Sequence, residues 1–312
     1  MTQRPFSNRH SLALANETPP DPARYLGLAV ACSWLVLVVL TVIIVALPTH
    51  AAPKDDFTAG TIISDANFYN PHSMTANQIQ QFFDGHSCQP QDDAPCLSHV
   101  RLNAPSAPES PGHCAAIAAH KQERASAVIA TIATACTISP RVLLVLVQKE
   151  QSLVTRPSVP GYQKATGYAC PDTAACDTRY FGLFNQVYRA AWQFREYTLN
   201  PQQWRYRIGV NEIHYHPDSR CGSSRVLVEN QATANLYNYT PYQPNAETLA
   251  HPDGPAGACS AYGNLNFFRI FSTWFGDPRL FPTNGFIDPC LSYTDGRACP
   301  TISPFSTSNI HS

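Results

Sequence analysis

Two strongly apolar stretches stand out along the chain. The first runs from Tyr25 to Leu47, YLGLAVACSWLVLVVLTVIIVAL, and carries no charge. As a helix it is long enough to span a bilayer. The second is Val142–Val147, inside the run SPRVLLVLVQKEQSL of residues 139–153. A helix apolar on every side is buried, not surface-lying. Ser139 suits its N-cap, and Pro140 suits the first helical position, where a missing N–H is no loss. At the far end polarity changes abruptly to Gln148, Lys149, Glu150, Gln151 and Ser152.

Weaker periodicities fill in the rest. Residues 61–84 predict an extended start and then a short helix capped by Thr75, with Ile79, Phe82 and Phe83 on its apolar face. Asp65 and Asn67 lack the regular oxygen spacing of a calcium loop, so they predict a docking turn. Residues 85–113 read as Pro-rich polar loop. Ile117, Val128, Ile129 and Ile132 lie at near-helical spacing and predict one or two helices over 113–135. After a long connection over 155–181, the run FGLFNQVYRAAWQFREYT predicts a helix with Val187, Ala191 and Phe194 inward and Trp192 flanking. WRYRIG, EIHYH and RVLV alternate, which predicts a small antiparallel sheet or hairpin over 204–228. A helix over 232–239 ends before Pro241. A last one, LNFFRIFSTWF, is capped by Asn264 and stopped by Gly276 and Pro278.

The expected fold is therefore mainly α, an α+β arrangement with one small antiparallel element. Its expected parts are a tail (1–24), a transmembrane signal-anchor (25–47), a linker (48–60), a docking segment and loop (61–112), a helical domain (113–276) and an extension (277–312). Arg4, Arg9 and Arg24 precede the apolar stretch, which places the N-terminus in the cytoplasm and the rest outside. The stretch exceeds a signal h-region, which favours an uncleaved anchor. Cleavage near Ala51, giving a secreted form, is the alternative.

Cysteine usage sharpens the compartment. Of 11 cysteines, Cys32 lies in the apolar stretch and ten follow it. An even external set reads as a disulfide framework in an oxidising compartment. Sequential pairing gives Cys88–Cys96, Cys114–Cys136, Cys170–Cys176, Cys221–Cys259 and Cys290–Cys299. No C-x-x-C pair supports zinc, and His214 and His216 share a strand face without a third ligand, so no metal or other cofactor is expected. Net charge is −1, which leaves no nucleic-acid footprint.

Chemistry concentrates at Glu150. A carboxyl at the C-terminal end of a buried helix meets the negative end of the helix dipole and a low dielectric. Both favour the protonated form that a general acid needs. The plainer alternative is a Glu paired with Lys149 or Arg156. Tyr162, Tyr168 and Tyr180 in the long loop suit either sugar faces or ordinary packing.

The run ending in Glu150, Gln151 and Ser152 resembles the catalytic helix of lysozyme-like soluble lytic transglycosylases, which ends in a Glu-Ser pair. Five pieces in order extend the resemblance across 61–276: SPRVLLVLVQKEQSLV, ATGYACPDTAACD, YFGLFNQVYRAAWQF, NLYNYTPYQPNA and CSAYGNLNFFRIFSTWFG. Together they are similar to a lysozyme-like domain of secreted actinobacterial proteins. Gly182-Leu183-Phe184-Asn185-Gln186 resembles the family's second motif, a Gly-Leu-Met-Gln turn, with Gln186 as the matching residue and Asn185 inserted. Tyr237, in preference to Tyr239, stands where the third motif carries a tyrosine that holds the catalytic carboxyl.

The resemblance implies cleavage of peptidoglycan glycan strands with Glu150 as the single catalytic acid. Ser152, Asn185, Gln186, Tyr168, Tyr180 and Tyr237 or Tyr239 would orient carboxyl and substrate. A lytic transglycosylase needs no second carboxylate. If Glu212, Asp172 or Asp177 faces Glu150, a hydrolytic lysozyme or glucosaminidase becomes the better reading. A non-catalytic wall-binding or adhesion module on the same fold is the third. The expected partners are glycan strands and, through the N-terminal helix, the membrane.

Overall fold

The computed structural model describes residues 56–171, 174–254 and 256–280. The expected transmembrane segment, Cys32 and the Cys290–Cys299 pair lie outside these residues. Among the described residues no single helix is long and apolar enough to cross a membrane.

In chain order the elements are α1 (Asp65–Phe68), α2 (Ala76–Asp84), β1 (Arg101–Ala104), β2 (His120–Arg124), α3 (Ala125–Cys136), α4 (Pro140–Gln151), α5 (Val159–Gln163), α6 (Leu183–Leu199), β3 (Gly209–His214), β4 (Ser223–Val228), α7 (Gln231–Tyr239), α8 (Ala246–Ala250) and α9 (Gly263–Phe275). The class is α+β. Helices form the body, and two separate two-stranded antiparallel sheets, β1–β2 and β3–β4, sit on it.

Helix α4 is the centre. Val142 through Val147 are all 0% exposed, and α3, α6 and α9 pack around them. An all-apolar run can only be accommodated in this way. Truncating a residue such as Leu144 to Ala would cost roughly 2–5 kcal/mol through lost burial and the cavity left behind. Ser139 occupies the N-cap position, but its hydroxyl lies 2.8 Å from Ser73 Oγ instead of bonding the helix end. Val187, Ala191 and Phe194 of α6 are buried as expected. Trp192 flanks them and stacks on His113 with ring centroids 4.3 Å apart. Thr75 forms a capping box with Gln78 at the start of α2.

Three local expectations need correction. Residues 113–124 are not helical: Ile117 pairs with Ala107, and His120–Arg124 is strand β2. The hydrophobic spacing at Ile117 belonged to a β-bridge, and the polar run HKQER offers no helix face to bury. Residues 65–68 form the short helix α1 where an extended segment was expected. Its Asp65 accepts a 2.8 Å bond from Ala232 N, and Asn67 donates to Pro278 O at 2.8 Å, so the segment does dock on the body. Asn264 does not cap α9: it lies inside the helix, and its amide donates to Thr240 O and Tyr242 O at 2.8 and 3.0 Å.

Four of the expected disulfides are present: Cys88–Cys96, Cys114–Cys136, Cys170–Cys176 and Cys221–Cys259. Cys114–Cys136 closes a separation of 22 residues. By chain entropy a loop of that size is worth roughly 3 kcal/mol.

Candidate functional site

Glu150 lies in the last turn of α4, where the buried rod meets the surface. Its side chain is 25% exposed, and Oε1 lies 2.6 Å from Lys149 Nζ. Lys149 is nearly buried, at 7% exposure, and donates a second bond to Thr240 Oγ1 at 2.9 Å. The carboxylate is therefore ion-paired, with the ammonium held in place from α7's end. Ser152 follows at φ 53°, ψ 27°, in the left-handed region, and its N–H bonds Gln148 O. A non-glycine residue there costs roughly 1–2 kcal/mol. Ser152 thus ends the helix through its backbone.

The second wall is the loop after α5. Gly167 sits at φ +71°, and a Cβ on it would come 3.6 Å from Glu150 Oε2. With no side chain at Gly167, that flank of the carboxylate is open. Ala169 is also left-handed, at φ 56°. Ser152 and Ala169 thus share the left-handed backbone with two non-glycine residues elsewhere, Gln122 and Thr137.

Gln186 of α6 holds this loop. It is fully buried, and its Oε1 accepts from Thr166 N and Tyr168 N at 3.2 and 3.1 Å. Its Nε2 donates to Tyr168 O and Tyr180 O at 3.0 and 2.9 Å. Its amide is consumed by the loop and does not face a substrate. Asn185 makes a similar local contact, donating to Phe181 O at 3.0 Å.

Of the two candidate tyrosines, Tyr239 is the one at Glu150. Its hydroxyl donates to Thr166 O at 2.7 Å. Burial, and then the charge of Glu150, push it well above the ordinary tyrosine range, so it stays a neutral donor. Tyr237 is turned away, and its hydroxyl donates to Ala59 O at 2.9 Å. The preference for Tyr237 is thereby reversed: helical spacing puts residues two apart on different faces of α7.

Tyr168 and Tyr180 meet edge to face at 5.1 Å, and the Arg189 guanidinium lies 5.3 Å from the Tyr180 ring centroid. The Tyr168 hydroxyl is raised by burial and by Tyr180, against the pull of Arg189. These rings are partly exposed on the loop that Gln186 pins beside Glu150.

The candidate second carboxylates are engaged elsewhere or lie outside view. Glu212 is on the exposed face of β3 and accepts from Ser223 Oγ at 2.6 Å. Asp177 caps the turn Thr178–Tyr180, and its bonds from Arg179 hold it below the usual carboxylate range. Asp172 lies outside the described residues. Among the described residues no group of three metal-binding side chains occurs.

In the sequence Lys149 stands out only as a possible ion-pair partner, and Thr166, Gly167, Arg189 and Thr240 do not stand out at all. No local signal marks these, because they reach Glu150's surroundings from three separate segments. A separate groove of about 230 Å³ lies between the end of α4 and α9, lined by Gln148, Thr155, Asn266, Arg269, Ile270, Thr273 and Trp274; Glu150 is not among its walls.

Compared with protein-family models, with curated proteins and with solved structures, the chain has no match.

Proposed function

We propose that the chain cleaves peptidoglycan glycan strands as a lysozyme-like lytic transglycosylase, with Glu150 as its acid. The observation that carries this reading is the carboxylate at the mouth of a buried helix, its Oε2 flank left open by Gly167 and the facing loop held rigid by Gln186. The Glu150 carboxyl gives its proton to the glycosidic oxygen as the C1–O bond breaks. The carboxylate then takes the proton of the muramic 6-hydroxyl, whose oxygen closes on C1 as an anhydro ring. One carboxyl suffices, which agrees with the engagement of Glu212 and Asp177 elsewhere. Tyr168 and Tyr180 offer ring faces to sugar, and Tyr239 and Gln186 act as positioning residues. The disulfides support a place in an oxidising compartment, outside a membrane anchored by residues 25–47.

A second reading rests on Lys149. Its ammonium engages Glu150 Oε1 at 2.6 Å, so one oxygen of the carboxylate is already held. A salt-bridged Glu150 suits a wall-binding module that holds glycan without cutting it. The test is release of soluble fragments from purified sacculi by wild type and by Glu150→Gln.

A further inference from the structure

The β3–β4 hairpin carries an exposed apolar face that the proposed activity does not use. Val210 and Leu227 are direct cross-strand partners and are 58% and 59% exposed. Ile208, just before β3, is 59% exposed. Arg205, Arg207 and Arg225 are exposed beside them, against the carboxylates Glu212 and Glu229. Arg225 pairs in register with Glu212 on the same outer face. Such an apolar centre with a basic fringe suits the headgroup region of a bilayer.

The course of the chain points to the same occupant. Gly60 runs against the end of β4: its carbonyl accepts from Glu229 N at 3.0 Å. A Cβ on Gly60 would meet the Leu227 carbonyl at 2.4 Å, so only glycine permits this approach. Thr61 Oγ1 donates to Glu229, closing the junction. The described chain begins four residues before Gly60, at Asp56, which Arg279 holds at 2.7 Å, and then passes the edge of β4 at Gly60. Residues 48–55, eight of them, separate the apolar stretch 25–47 from Asp56, and eight residues reach at most about 29 Å. A tether of that length, with the four residues that lead on to Gly60, leaves β4 within reach of the lipid.

We infer that the outer face of the β3–β4 hairpin, Ile208, Val210 and Leu227 with Arg205, Arg207 and Arg225, rests on the phospholipid surface. The inference rests on reading residues 25–47 as an uncleaved anchor, and it is independent of catalysis.

The test uses the full chain in vesicles of phosphatidylcholine and phosphatidylglycerol, some with lipids brominated near the headgroup end of the acyl chain. Alkaline washing first reports anchoring; a chain released into the supernatant overturns both the anchor and the inference. Leu227→Trp and Val210→Trp each add an indole on the face, and Val159→Trp adds one at a site 51% exposed on α5. The added emission at 227 and 210 is expected to be quenched at least about twofold more than that at 159, as for a face seated in the headgroup boundary. Equal quenching at all three positions overturns the inference. So does absence of lipid quenching at 227 and 210 in an anchored chain. Shielding of those positions from soluble iodide without lipid quenching would point to a second copy in place of lipid.

Discussion

Lys149 Nζ lies 2.6 Å from Glu150 Oε1 and is fixed there by Thr240 Oγ1 at 2.9 Å. The pair bears on both catalysis and binding, because the ammonium occupies one oxygen of the carboxylate. Lys149→Met removes the ammonium and keeps the stem. In the catalytic reading the change frees Glu150 Oε1, so fragment release from sacculi is kept or rises. Fragment release and sacculus binding, measured side by side for both proteins, check this. Release lost in a folded variant, or binding lost with no release by either protein, would speak for a wall-binding module.

Gly167→Ala is expected to fold, at a cost of about 1 kcal/mol for the left-handed backbone. Its methyl comes 3.6 Å from Glu150 Oε2, an ordinary contact that covers the open flank. Fragment release should fall about tenfold, equivalent to about 1.4 kcal/mol in the barrier. Thermal unfolding run beside the assay separates the two effects.

Gln186→Leu leaves Thr166 N and Tyr168 N without their shared acceptor. Two unsatisfied buried donors cost roughly 2–4 kcal/mol together. Denaturant unfolding should show that loss, and proteolysis should begin in the loop between Thr166 and Tyr180. A stable variant with normal activity would remove Gln186 from the account.

Asp65 makes a pH prediction. Burial raises its carboxyl above 3.8, against the bonds from Ala232 N and Gln231 N, which lower it. A raised native pKa means that the folded state holds the proton more firmly than the unfolded chain. The contribution to stability is full below the unfolded value and is lost as pH rises through the native one. Asp65→Asn cannot ionise. The melting temperature of wild type should therefore fall relative to Asp65→Asn as pH rises from below 3.8 toward neutrality. A difference that does not change with pH would contradict the burial argument.

The parts of the fold legible in the sequence were those set by long periodic runs and by covalent arithmetic. Val142–Val147 has no polar side, so only a central helix accommodates it. The hairpin at 209–228 alternates plainly, and Val210 faces out while Ile213 is buried. Cys114 and Cys136 pair as expected, yet the stretch just after Cys114 is not helix, because Ile117 bonds across to Ala107. That pairing is non-local and leaves no periodic trace. The end of the buried rod at Glu150 was legible, because polarity changes there within one turn. Thr166, Gly167 and Thr240 were not, since they acquire meaning only when α6 and α7 bring their loops to the end of α4. Gln186 was found for the wrong contact: it braces the loop instead of meeting sugar.

Glu150 is tested most directly by the mass of muropeptides released from purified sacculi by wild type and Glu150→Gln. Wild type is expected to give products lighter by one water than hydrolytic ones, the mark of the anhydro ring, and Glu150→Gln none. Sacculi that bind both proteins equally and release nothing would contradict the catalytic reading and leave a wall-binding module in its place.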